Sequence, residues 1–220
     1  MPALQRMDAL ILGAIFAVLI VTVGVYLTDK QYFALVYAAE DGIVEYATAV
    51  FLLICSLVLA AHARSLIRGR RGLAAACTLL YALLFFFAAG EEVSWGQRIF
   101  GWESSEFFVE RNYQAETNIH NLIVGEKQLT KTLFGPILTS VMLLYLVVLP
   151  LLYSRLGFIR SIASHLAIPV PGVRHGILAV AASLLVTVIT ADRKWEVYEL
   201  VFSLLMLSIF LFPQNREDTR

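Results

Sequence analysis

Six runs of mainly apolar residues, at roughly 9–28, 43–62, 72–90, 134–153, 174–191 and 195–212, dominate this chain. Each approaches the ~20 residues that an α-helix needs to cross the hydrocarbon core of a bilayer. A backbone in hydrocarbon must satisfy its own hydrogen bonds, which leaves helices or a closed barrel. The runs are continuously apolar rather than alternating, which excludes the barrel. Composition agrees, with 59% hydrophobic and 15% charged residues and a mean hydropathy of +0.75. The predicted fold is all-α: one polytopic membrane domain of about six transmembrane helices with an outer polar loop at 91–133. The bilayer is then its first partner, and no nucleic-acid partner is expected.

Charge placement predicts the orientation. With the N-terminus in the cytoplasm, Arg6, Arg64, Arg68, Arg70, Arg71, Arg155, Arg160, Arg174, Arg216 and Arg220 lie inside, against Asp8, Glu217 and Asp218 alone. The outer side holds the other seven basic residues and fourteen acids. Short loops rich in Arg stay cytoplasmic, so both termini are predicted there. Trp95, Trp102 and Trp195 fall on the outer side, at the level of an aromatic belt. The first run is longer than a signal h-region and lacks a small-residue cleavage site, so it is read as a retained anchor. Cys55 and Cys77 sit inside apolar runs and read as small buried hydrophobes rather than a disulfide. The expected location is the inner (plasma) membrane, multi-pass.

Polar residues at the edge of hydrocarbon are costly unless they face protein, water or ligand. Glu91-Glu92-Val93-Ser94-Trp95-Gly96-Gln97-Arg98 follows the third run directly, and Asn112, Gln114, Glu116, Asn118, His120 and Asn121 form a second cluster. Glu45 stands about one turn inside the second run and calls for a cationic partner, Arg98 first and Arg193 second, or a proton shared with another acid. Asp192, Glu196 and Glu199 recur at helical spacing at the start of the sixth run. Acids at helix N-termini are favoured by the macrodipole, which accounts for Glu40, Asp41, Asp192 and Glu196 without any function. Glu103, Glu106, Glu110, Glu126, Lys127 and Lys131 read as a solvated loop surface.

The site candidates follow. Glu91, Glu92, Glu116 and His120 are the catalytic candidates; Glu45, Gln97, Arg98, Asn112, Gln114, Asn118 and Asn121 are the binding candidates. A helical Glu116-x-x-x-His120 would place a carboxylate and an imidazole on one face, suited to acid–base work or to a metal. His120 is the only outer histidine, so any metal would be a hard divalent cation held by oxygen ligands. The amides suit hydrogen bonding to a sugar or lipid headgroup equally well. No Gly-rich phosphate loop, GxSxG elbow or HExxH is present.

These two segments resemble a family of uncharacterised bacterial multi-pass membrane proteins that carry EE-x-S-x-GQR and N-x-Q-x-E-x-N-x-HN. The resemblance covers roughly residues 88–122 and implies a bacterial membrane protein, with no known reaction attached. Likeness to the membrane hydrolases that include alkaline ceramidases extends only to a polar site among several spans. The three histidines expected there are missing, so that activity is not carried over. Two functions stay open: an enzyme acting on a lipid or lipid-linked substrate from the outer leaflet, with Arg98 clamping an anionic headgroup, or a non-catalytic binding, transport or structural subunit.

Overall fold

The computed structural model describes residues 2–220, with side chains from Arg6 onward. It is 75% helical. Helix α1 (Pro2–Thr28) is an unbroken apolar rod that ends at Asp29. That carboxylate accepts the backbone N–H groups of Gln31 and Tyr32, both at 2.9 Å, and so starts α2 (Lys30–Tyr32) as an N-cap. The chain widens through Phe33–Tyr37 and enters α3 (Ile43–Arg68). Gly69, Arg70 and Arg71 turn it into α4 (Gly72–Glu92), antiparallel to α3. The α3–α4 interface uses small residues, among them Ser56, Ala75 and Ala82, and Ser56 Oγ donates to the Ala82 carbonyl at 2.8 Å. Small side chains let backbones approach closely where lipid supplies no hydrophobic drive for association.

The polar segment between Val93 and Leu129 is ordered rather than a plain loop. It holds the turn Ser94–Gly96, α5 (Gln97–Phe100), α6 (Glu106–Arg111) and a two-stranded hairpin, β1 (Ile123–Val124) and β2 (Lys127–Gln128). Helix α7 (Thr130–Arg155) follows, with two wide π-type stretches, Thr130–Ile137 and Leu144–Val148. Proline explains both, because a residue without an N–H breaks the regular ladder. Pro136 lies inside the first stretch. Pro150 follows the second and leaves the Leu146 carbonyl without its usual i+4 donor. Gly176 of α9 (Val173–Val188) packs against that carbonyl, and a Cβ there would come within 2.9 Å of its oxygen. Between α7 and α9 lies α8 (Gly157–His165).

Helix α10 (Lys194–Leu211) is the centre of the bundle, with Val197, Tyr198, Val201 and every residue from Ser203 to Phe210 buried. It packs on α1, α3 and α9. A helix that is apolar around its circumference belongs inside a bundle. By contrast α1 and α7 bury only 11% of their apolar windows, and Leu10, Phe16, Leu27 and Leu144 are exposed, which leaves large apolar faces uncovered.

Among the described residues four helices are long and apolar enough to cross a membrane: Arg6–Thr28, Ile43–Arg68, Gly72–Glu92 and Thr130–Arg155. They coincide with the first four runs. The fifth run gives α9, 16 residues long, and the sixth gives the 18-residue α10, which carries Lys194, Glu196 and Glu199 in its first turns.

Candidate functional site

Glu91, in the last turn of α4, is 5% exposed. Its Oε1 accepts Trp95 Nε1–H at 2.9 Å, and its Oε2 accepts the backbone N–H groups of Ile119 (2.6 Å) and His120 (3.0 Å). His120 Nδ1 stands 3.5 Å from the same Oε2. One carboxylate at the end of a long apolar helix therefore ties down both polar segments. Trp95 reaches it because Ser94, Trp95 and Gly96 are all left-handed, at φ 46°, 56° and 80°. The two non-glycine residues each cost about 1–2 kcal/mol in that conformation. The indole folds back over Gly90, where a Cβ would come within 2.8 Å of the ring.

Glu116 is 7% exposed. Its Oε2 accepts Ser94 Oγ (2.7 Å) and Asn118 Nδ2 (2.8 Å), and its Oε1 accepts Arg98 Nη2. Asn112 Oδ1 takes the backbone N–H groups of Gln114 and Glu116, while its Nδ2 donates to Asn118. Asn121 Nδ2 donates to Gln114 Oε1. Gln97 Oε1 accepts Thr117 N (2.8 Å) and Ser104 Oγ (2.9 Å). Buried amides and carboxylates are expected to be satisfied in this way. Here they satisfy one another, so the two motif segments form one interlocked unit.

Around this unit runs an ionic belt. Arg98 joins Glu116, Asp41 and Glu40, and Arg193 joins Glu40 and Glu196. Burial works against the Arg98 charge, but Asp41 and Glu116 outweigh it and raise its basicity. For Arg193 the same balance holds, with Glu40 as the principal partner.

Several expectations are corrected. Residues 112–122 form turns rather than a helix, so Glu116 and His120 do not share a helical face. Glu116 belongs to Arg98, Ser94 and Asn118, and His120 belongs to Glu91. Neither arginine pairs with Glu45, whose Oε2 instead accepts the backbone N–H of Asp41, because Arg98 and Arg193 are spent on Glu40, Asp41, Glu116 and Glu196. Arg98 is thus not a vacant clamp for an anionic headgroup. Asn112, Gln114, Gln97, Asn118 and Asn121 hold the loop together and present few free donors.

What is left unpaired defines the site. Among the described residues, His120 Nε2, Glu92 and Glu199 take no hydrogen bond or ion pair. Glu92 at the end of α4, Glu45 at the start of α3, and Glu196 and Glu199 on α10 lie within reach of one another's charge. His120 in turn senses Glu196. Glu196 and Glu199 complete the group, and their signal in the sequence is a pair of carboxylates three apart at the head of an apolar run. No three His, Cys, Asp or Glu among the described residues are placed to ligate one ion.

The arrangement can do one piece of chemistry directly. A carboxylate beside Nδ1 favours the Nδ1–H tautomer and leaves the Nε2 lone pair outward, the disposition of a general base. No protein-family model, no curated protein sequence and no solved structure matches this chain.

Proposed function

We propose that this chain is a six-span bacterial inner-membrane protein with both termini in the cytoplasm, acting on a lipid or lipid-linked substrate at the outer leaflet. The four long apolar helices support the membrane reading, and α9 and α10 supply the last two spans as a hairpin at Arg193. One observation carries the site: within a network whose other members are mutually bonded, His120 Nε2 has no partner among the described residues, and the ring lies within electrostatic reach of Glu196, itself grouped with Glu92 and Glu199.

In this reading His120, oriented by Glu91, removes a proton from water or a substrate hydroxyl as that oxygen attacks an electrophilic centre. The imidazolium then returns the proton to the departing oxygen, so His120 ends neutral. Glu92 and Glu199 accept hydrogen bonds from the headgroup. The excess of carboxylate favours a polyol or an amine-bearing headgroup over a bare phosphate. The Glu45–Glu92–Glu196–Glu199 group also supports a second reading, binding or cation-coupled movement of a solute, because carboxylates shared among spanning helices suit ion pathways.

Membranes containing the full chain, incubated with a total bacterial lipid extract and followed by mass spectrometry, separate the two. Conversion of one lipid class that His120→Ala abolishes, with Tm unchanged, supports the enzyme. Conversion that survives His120→Ala, or no conversion at all, rejects it. Lipid or solute retention lost only in Glu92→Gln with Glu199→Gln points to the second reading.

A further inference from the structure

At the end of the bundle remote from Glu91, the segment after α10 folds back and docks. Gln214 N–H donates to the Val170 carbonyl at 2.9 Å. Asn215 Oδ1 accepts Val170 N–H and its Nδ2 donates to the Ile168 carbonyl, both at 2.9 Å. Asp218 Oδ1 accepts Ser164 Oγ at 2.8 Å, and its carbonyl accepts Arg71 Nη1 at 2.5 Å. These bonds hold residues 214–218 against the Ser164–Val170 segment and against Arg71, which follows α3.

Residues 216–220 carry two arginines and two acids, and it is the arginines that lie near a buried histidine. His62 of α3 is 8% exposed, and its Nδ1 has no partner among the described residues. Arg216 and Arg220 lie within electrostatic reach of it. Arg220 gives Nη2 to the Leu211 carbonyl at 2.6 Å, but its buried Nε has no acceptor among the described residues. Burial, and then the neighbouring Arg216, lower the basicity of Arg220, with no carboxylate opposing them. Of the two acids in the segment, Asp218 is engaged by Ser164 and Glu217 is exposed. Two buried nitrogens without acceptors beside a second arginine is an arrangement that proteins seldom leave unfilled.

We infer that His62, Arg216 and Arg220 form a second site, for a phosphate-bearing anion, at the end of the bundle opposite the acidic one. Planar guanidinium groups and an imidazole N–H match phosphate oxygens, and charge-assisted bonds of this kind are the strong ones. The anion is a phospholipid headgroup or free phosphate. Only the naming of the leaflet, cytoplasmic, rests on the proposed topology, and a reversed topology would leave the binding arms below unaffected.

The full chain in phosphatidylcholine nanodiscs provides the reference. In one arm phosphatidylglycerol replaces part of the lipid; in another, inorganic phosphate is titrated at constant ionic strength. The readouts are Tm and the 15N-histidine NMR signal of His62, assigned with His62→Gln. At least one probe is expected to shift the His62 signal and raise Tm, and Arg216→Gln with Arg220→Gln should weaken that response about tenfold while leaving Tm in pure phosphatidylcholine equal or higher. Response to phosphatidylglycerol alone identifies a lipid site, and response to inorganic phosphate identifies a free-anion site. If neither probe moves His62, the inference is wrong. It also fails if the double variant lowers Tm equally in every lipid with the probe response intact, for then the cluster only holds the chain in place.

Discussion

At the residue scale the division is between side chains that hold the outer unit and those it leaves free. Glu91 and Glu116 each accept several donors while almost fully buried. Removing one charge from such a set costs about 3–5 kcal/mol when the partner is a buried ion, and less where an amide keeps some bonds. Glu116→Gln should therefore lower Tm and open residues 112–122 to limited proteolysis, with α1, α3 and α4 still protected; an unchanged digestion pattern would contradict this. His120→Ala removes a half-exposed ring that touches Phe134 edge-on and should change Tm little. Gly90→Ala sets a methyl group against the Trp95 ring, an overpacking worth roughly 1–3 kcal/mol. Trp95 should then swing off Glu91, and its fluorescence should shift toward that of solvated indole in a background lacking Trp102 and Trp195.

At the element scale the proline-containing helix α7 and the glycine of α9 are matched. Pro150 frees the Leu146 carbonyl, and Gly176 allows α9 to lie against it. Gly176→Ala gains intrinsic helix propensity of about 1 kcal/mol but must push α9 off α7. The packing loss is expected to win, so Tm should fall. A rise in Tm would show that the contact is slack. The turn Ser94–Gly96 belongs to the same scale: its left-handed backbone is strained, and the Trp95–Glu91 bond holds it. Strain of this kind, of order 1–3 kcal/mol per residue, persists where the surroundings enforce it and is common at functional sites.

At the scale of the whole molecule, charge separates the two ends. The acidic group of Glu45, Glu92, Glu196 and Glu199 sits at one end, and the basic group of His62, Arg216 and Arg220 at the other. Reporter fusions at Gly69 and Pro171 should behave as cytoplasmic, and fusions within residues 103–110 as extracytoplasmic. The opposite result would place the His120 site at the inner leaflet and the basic site at the outer one.

The first four apolar runs became α1, α3, α4 and α7 because twenty continuous apolar residues have one economical backbone solution in hydrocarbon. The importance of residues 91–98 and 112–121 was equally legible, since polar side chains of that density must find partners. Which partner each takes was not legible. Helical spacing paired Glu116 with His120, and the cost of a lone carboxylate in an apolar run paired Glu45 with an arginine, but three left-handed residues at Ser94–Gly96 turn the chain back, and Glu91 captures His120 instead. The docking of residues 214–220 against His62 likewise depends on contacts some 150 residues apart in sequence. Local periodicity determines elements; partner choice is a competition among all the donors and acceptors brought within reach, and only the folded chain decides which are within reach.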